Sequence, residues 1–113
     1  MKKWREITTI DEWEEVLAHS EERPAVVLKH STRCEISAGA FKEYERYLSD
    51  HPREDVDYLL VKVIQSRPVS NKIAEDLQIK HESPQAILID RQKAVWNASH
   101  RKVTAAHLQE ALQ

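Results

Sequence analysis

The apolar residues of this chain alternate between strand-like runs and helix-like spacings. Two continuous apolar runs, 24–30 and 56–63, have the length and composition of strands covered on both faces. Elsewhere, apolar residues recur at spacings of three and four, as on one face of a helix. This spacing predicts three helices, over about 10–19, from just after Cys34 to about 50, and over about 69–77.

The two ends of the chain complete the pattern. A short strand is predicted at 4–7, ahead of the first helix. After the third helix, two short apolar segments are close enough to form a hairpin, and a closing helix follows them. These last three elements are predicted at 85–89, 94–98 and 103–112.

The predicted order is therefore β-α-β-α-β-α-β-β-α. Strands that alternate with helices need crossover connections and lie parallel, whereas the final hairpin adds an antiparallel pair to the sheet. A chain of 113 residues suits one core. We expect a single α/β domain over residues 1–113, a three-layer sandwich with a mixed central sheet.

Composition narrows the class of protein further. Hydrophobic residues make up 41% and charged residues 32%, which is typical of a folded globular chain. A net charge of -2 without a dense lysine and arginine stripe argues against nucleic acid as a partner. The sequence lacks an apolar stretch of membrane-spanning length and a signal-peptide pattern. Together with a single cysteine, this favours a cytoplasmic protein away from membranes.

The single cysteine, Cys34, lies where the first apolar run gives way to a helix. A thiol there faces unpaired backbone N–H groups and the positive end of the helix dipole, which favour the thiolate. Arg33 adds to this effect, whereas the negative charge of Glu35 opposes it. A lone cysteine is often a small buried hydrophobe, but the surrounding side chains are mostly polar. Ser37 is placed to donate a hydrogen bond to the sulfur.

A single thiol restricts the available chemistry. Without a second cysteine, Cys34 cannot close an internal disulfide and can only exchange one mixed disulfide for another. It then needs an external thiol to return to its reduced form. We therefore predict a thiol-disulfide exchange protein whose partner is a low-molecular-weight thiol.

Two segments, LKHSTRCEIS at 28–37 and HESPQ at 81–85, resemble the monothiol bacilliredoxins. Segments 69–74 and 96–100 are also similar to that family. The resemblance implies a thioredoxin-like fold and bacillithiol as co-substrate, with no bound cofactor. It also implies that Cys34 removes bacillithiol from mixed disulfides on client proteins, supported by Thr32, Arg33, Glu35, Ile36 and Ser37.

The resemblance has further implications for the site. It implies a cis peptide between Ser83 and Pro84, whose backbone pairs with an extended disulfide partner as a short strand would. Bacillithiol carries carboxylates, so cationic groups near Cys34 are expected to bind it. Besides Arg33, the expected contacts are Lys29, Arg67, Lys80 and Arg101. One departure stands out, because the family motif is Cys-Pro-Ile-Ser and this chain has Glu35 in place of proline.

Two alternatives stay open at this point. His30, His81 and His100 could join Cys34 around a metal ion, but the sequence has no paired Cys-x-x-Cys, so we predict no metal site. A function of a different class is a thioredoxin-fold binding or stress-associated module in which Cys34 is only a modifiable thiol. The sequence does not identify the client proteins, the reducing system or the oligomeric state.

Overall fold

The structure is a computed structural model that describes residues 3–113, and it confirms the predicted order of strands and helices. Met1 and Lys2 of the predicted domain lie outside the described residues. A short 3-10 turn, His100–Lys102, precedes the last helix. The elements are β1 Arg5–Glu6, α1 Ile10–His19, β2 Ala25–His30, α2 Glu35–Leu48, β3 Asp57–Lys62, α3 Arg67–Leu77, β4 Gln85–Asp90, β5 Lys93–Ser99 and α4 Ala105–Ala111.

The five strands form one mixed sheet in the order β1-β3-β2-β4-β5. Strands β1, β2 and β3 are parallel, whereas β4 runs antiparallel to β2 and pairs with β5 as the predicted hairpin. Strand β2 is central, and its residues 25–30 are buried except for the half-buried His30. This explains why the run 24–30 lacks the polar alternation of an edge strand.

The helices cover both faces of the sheet and give two apolar cores. Residues of β2 alternate between them, with Val26 and Leu28 in the core under α2 and α4, and Ala25 and Val27 in the core under α1 and α3. Alternation of side chains along a strand produces this division. The result is the three-layer α/β sandwich expected from the sequence.

Helix α1 begins where its sequence predicts, because Thr9 and Glu12 form a capping box. The Thr9 hydroxyl accepts from the Glu12 backbone N–H at 3.1 Å, and the Glu12 carboxylate accepts from the Thr9 N–H at 3.2 Å. Hydrogen bonds from Thr8 and Thr9 to this carboxylate lower the pKa of Glu12. The helix start is therefore determined by local side chains.

The closing helix differs from the prediction of 103–112. Helix α4 begins only at Ala105, because the Thr104 hydroxyl accepts from the His107 N–H at 3.1 Å and caps it there. Val103 is extended and buried, and the residues before it form the 3-10 turn. The predicted first strand, 4–7, is likewise shorter, at Arg5–Glu6.

The carboxyl ends of the parallel strands β2 and β3 lie at one end of the sheet, and the amino end of the antiparallel β4 lies there too. This end receives Cys34, four residues after β2, and Pro84, immediately before β4. Ligands of open α/β sheets gather at the carboxyl ends of the parallel strands. We call this the site end of the sheet. No helix within residues 3–113 is long and apolar enough to cross a membrane.

Candidate active site

Cys34 is the N-cap residue of α2. Its backbone is extended, with φ -122° and ψ 128°, and its carbonyl accepts from the Ala38 N–H at 3.0 Å. The side chain is partly exposed and makes no capping hydrogen bond. The sulfur therefore lies at the amino end of a 14-residue helix, where backbone N–H groups and the helix dipole favour a negative charge.

Side-chain hydrogen bonds hold the residues before Cys34. The hydroxyl oxygen of the fully buried Ser37 accepts from the Ser31 backbone N–H at 3.0 Å. Thr32 accepts from the Gln65 side-chain amide at 3.1 Å, which connects the cysteine loop to the segment after β3. The sequence suggested that Ser37 donates to the sulfur, but no such bond forms within the described residues. The role of Ser37 is to hold the loop.

The remaining motif residues surround the cysteine at the surface. Arg33 and Glu35 are exposed, and Ile36 is half-buried. Glu35 and Ile36 line a groove of about 500 Å³ whose opposite wall includes His100 and Arg101. The groove places Arg101, a predicted ligand contact, across from the first turn of the cysteine helix.

His30, the last residue of β2, has an unusual environment. Its Nδ1 is buried without a hydrogen-bond partner within residues 3–113, and its ring packs against Phe41 with 5.1 Å between centroids. Burial, the largest cause, and the charge of Lys62 lower the pKa of His30. The imidazole is therefore neutral near pH 7. No group of three or more His, Cys, Asp or Glu side chains in residues 3–113 is arranged to hold a metal ion.

The segment 78–84, which we call the Pro84 loop, lies at the same end of the sheet. The Ser83–Pro84 peptide is cis, as the family resemblance implied. The Pro84 carbonyl accepts from the His100 N–H at 2.9 Å, and the His100 imidazole lies 3.5 Å from the Glu82 carboxylate. Within the described residues, the Ser83 backbone N–H and C=O form no hydrogen bond, so both are available to an extended partner.

The four predicted cationic contacts have different positions. Arg67, Lys80 and Arg101 are exposed, and Lys80 lies 3.7 Å from the Glu82 carboxylate. Lys29 is fully buried, because its side chain points from the central strand under α3 rather than outward. The structure therefore presents three of the four cations at the surface and keeps Lys29 inside. A lysine within an otherwise apolar run is compatible with burial, but the pattern does not decide it, because a strand end can also present a lysine to solvent.

Comparison with known proteins places the chain among its relatives. The profile of the family described as monothiol bacilliredoxin BrxC matches residues 5–108. The chain belongs to the monothiol bacilliredoxin family. It is 33% identical to a structure described as a candidate oxidoreductase with a thioredoxin fold, with a TM-score of 0.85 over 98% of this chain and 95% of that one.

More distant structures share the fold alone. A Malassezia sympodialis thioredoxin is 18% identical, with a TM-score of 0.76 over 99% of this chain and 90% of that one. A Fasciola hepatica thioredoxin is 19% identical, with a TM-score of 0.75 over 96% and 95%. The fold of this bacilliredoxin is thioredoxin-like, as predicted. Family, fold and the single cysteine together support a redox role.

Proposed function

We propose that this bacilliredoxin removes bacillithiol from mixed disulfides on client proteins. The Cys34 thiolate attacks the bacillithiol sulfur of the mixed disulfide, and a new S–S bond forms between Cys34 and bacillithiol. The original S–S bond breaks, and its electron pair leaves with the client cysteine as a thiolate, which takes a proton from water. The client is reduced, and the disulfide moves to Cys34.

A second exchange returns the protein to its starting state. Because the chain contains only one cysteine, a reduced bacillithiol must attack the Cys34 adduct. Cys34 leaves as a thiolate, and bacillithiol disulfide is released for an external reductant. The cycle needs a reducing compartment, in agreement with the cytoplasmic location that the sequence predicts.

The observation that supports this proposal most directly is the position of Cys34. The partly exposed single thiol belongs to the N-cap residue of α2, and the Ser83 backbone, at the same end of the sheet, has an unused N–H and C=O. A client segment that contains the mixed disulfide can pair with Ser83 as an added strand, which brings the bacillithiol sulfur of that disulfide within reach of Cys34. We assign client binding to Ser83 and Pro84.

The surface cations provide the second part of the proposed substrate binding. Arg101 lines the groove beside Glu35, and Arg67 and Lys80 are exposed. Arginine binds carboxylates through two parallel hydrogen bonds, which suits the malate group of bacillithiol. Arg101 is the best placed of these residues, because its groove begins at the first turn of the cysteine helix. Lys29 has no part in this contact, since its amine is buried.

A release assay tests the proposed activity. A peptide carrying bacillithiol on its single cysteine is mixed with the reduced protein, and free peptide thiol is measured over time with excess bacillithiol present. We expect many peptides to be released per protein molecule, and none above background with the Cys34→Ser variant. Release of at most one equivalent would instead favour a binding module with a modifiable thiol.

A further inference from the structure

The buried amine of Lys29 is used by neither step of the exchange. Lys29 lies in the central strand with no exposed surface, and its Nζ donates to the Ser70 carbonyl of α3 at 3.0 Å. Within residues 3–113, no carboxylate forms an ion pair with it. Burial lowers the pKa of Lys29 to about 8. Burying an amine without an anionic partner is costly, so its hydrogen bonds must offset that cost.

The second contact of this amine is with the Pro84 loop. The Lys29 Nζ lies 3.1 Å from the Nδ1 of His81, three residues before Pro84. A neutral imidazole accepts a hydrogen bond at this nitrogen, whereas a protonated one cannot. One buried amine therefore joins helix α3 to the loop that precedes β4. A methionine would fill a similar volume but would leave the two elements unconnected.

Gln85 holds the same loop from the adjacent strand. It pairs directly with Lys29 in the antiparallel register, which places both side chains on one face of the sheet. Gln85 is also buried, and its amide nitrogen donates to the Lys80 carbonyl at 3.2 Å. Its amide oxygen accepts from the Glu82 N–H at 3.4 Å. Two neighbouring buried side chains therefore bind three successive residues of the loop, 80, 81 and 82.

We propose that Lys29 is a positioning residue, which with Gln85 fixes the Pro84 loop so that the Ser83 backbone meets a client disulfide at Cys34. The effect on clients rests on the proposed function, whereas the effect on the loop does not. Lys29 touches neither the substrate nor the sulfur. Its substitution should therefore change how a client binds more than how Cys34 reacts with a small reagent.

The titration of His81 reports on the contact independently of activity. The groups that face its ring are Lys29 from β2, Arg67 from α3 and Glu82 from its own loop. Burial and the charges of Lys29 and Arg67 lower the pKa of His81, and Glu82 opposes them. Without the Lys29 charge, that pKa should rise towards its ordinary value of 6.5.

The test compares Lys29→Met with Lys72→Met, which removes a surface lysine from α3 that pairs with Asp76 at 3.0 Å. Amide hydrogen exchange is followed at residues 80–83 and 85, and the His81 ring is titrated by NMR. In Lys29→Met we expect about fivefold faster exchange at these amides, the effect of one lost hydrogen bond, and a higher pKa for His81. The Lys72→Met variant should change neither.

Two kinetic measurements complete the test. With Lys29→Met, KM for a bacillithiolated peptide should rise about fivefold, while alkylation of Cys34 by iodoacetamide stays within twofold. Unchanged loop exchange and His81 titration would overturn the positioning role, whatever the activity. So would an equal loss in peptide release and alkylation.

Gln85→Leu gives a second test if Lys29→Met does not fold. This substitution removes the acceptor of the Glu82 N–H but leaves Lys29 in place. Faster exchange at Glu82, with a higher KM for the peptide, supports the proposal. Exchange at Glu82 that matches the unmodified protein would contradict it.

Discussion

The two ends of the sheet differ in whether their buried polar groups form hydrogen bonds. At the end opposite the site, the Tyr44 hydroxyl donates to the Leu59 carbonyl at 3.0 Å, and the Tyr47 and Tyr58 hydroxyls lie 3.1 Å apart. Tyr58 also donates to the Arg53 carbonyl at 2.9 Å. At the site end, three buried side-chain atoms have no partner within residues 3–113, namely His30 Nδ1, Ser70 Oγ and Ser83 Oγ.

This difference indicates that one end of the sheet contributes to stability and the other to thiol exchange. A buried polar atom without a partner costs free energy, and folded proteins contain few of them. Here these atoms are concentrated at the end of the sheet that carries Cys34 and the Pro84 loop. The opposite end, with its hydrogen-bonded tyrosines, contributes stability and takes no part in thiol exchange. Substitutions at the two ends should therefore have separable effects on exchange and on unfolding.

The largest expected effect at the site end is that of Cys34→Ser. Thiol exchange should be lost completely, because no other sulfur nucleophile exists in this chain apart from the unreactive thioether of Met1. The free energy of unfolding should change by less than about 1 kcal/mol, since the cysteine side chain makes no capping hydrogen bond and serine is a good N-cap residue. Release assays measure thiol exchange, and urea denaturation measures the free energy of unfolding. Free client thiol produced by the serine variant would refute the mechanism.

At the opposite end, Tyr58→Phe should lower the free energy of unfolding and leave thiol exchange almost unchanged. The variant removes the hydroxyl that pairs with Tyr47 and the Arg53 carbonyl, which should cost about 1–3 kcal/mol of stability. Peptide release should stay within twofold of the unmodified protein. Urea denaturation gives the first quantity, and the release assay gives the second. A large loss of activity in a folded variant would show that the two ends are coupled.

Because the amine of Lys29 is buried, we expect the free energy of unfolding to depend on pH. Its pKa in the folded protein is about 8, compared with 10.5 for an unperturbed lysine, so between these values the unfolded chain holds a proton that the folded chain has released. Stability at this site therefore rises with pH, by about 1–3 kcal/mol between pH 8 and 10.

The measurement is urea denaturation at pH 8, 9 and 10, comparing the unmodified protein with Lys29→Met. Burial raises the pKa values of Tyr44 and Tyr58, which lowers stability above pH 10, so the comparison stops there. The unmodified protein should gain stability relative to the variant as the pH rises. Parallel curves for the two proteins would rule out the buried amine as the cause.

The smallest expected effect is that of Glu35→Pro, which restores the family motif. It removes a negative charge one residue from the sulfur and presets the first turn of α2. Alkylation of Cys34 at pH 7 should become about two- to threefold faster, because the carboxylate that opposes negative charge on the sulfur is gone. The control Glu35→Gln removes the charge without adding proline. Slower alkylation in both variants would contradict the assigned effect of Glu35.

Most of the fold could be predicted from the sequence because its signals are local. The apolar runs of β2 and β3 and the helical spacing of α1 depend on neighbours in the chain, and these elements were predicted to within about two residues. The prediction for helix α4 starts too early, because the apolar spacing continues through residues 103–104, whereas the Thr104 cap starts the helix at Ala105.

The site was predictable only in part. Cys34 follows from its place at a strand-to-helix boundary, whereas the Ser83–Pro84 geometry came from family resemblance. The burial of Lys29 could not be obtained from spacing, since a strand end can present a lysine to solvent equally well. It depends on contacts with Ser70 and His81, which are 41 and 52 residues away in sequence. Polar contacts between distant segments lack a periodic signature.

Intact-protein mass spectrometry tests the central claim most directly, because it shows which sulfur Cys34 attacks. The reduced protein is mixed with one equivalent of a bacillithiolated client in the absence of free bacillithiol. The proposed exchange predicts that the protein gains the mass of one bacillithiol at Cys34 while the client loses it. A mixed disulfide between Cys34 and the client, or an unmodified protein beside an unchanged client, would contradict the proposed function.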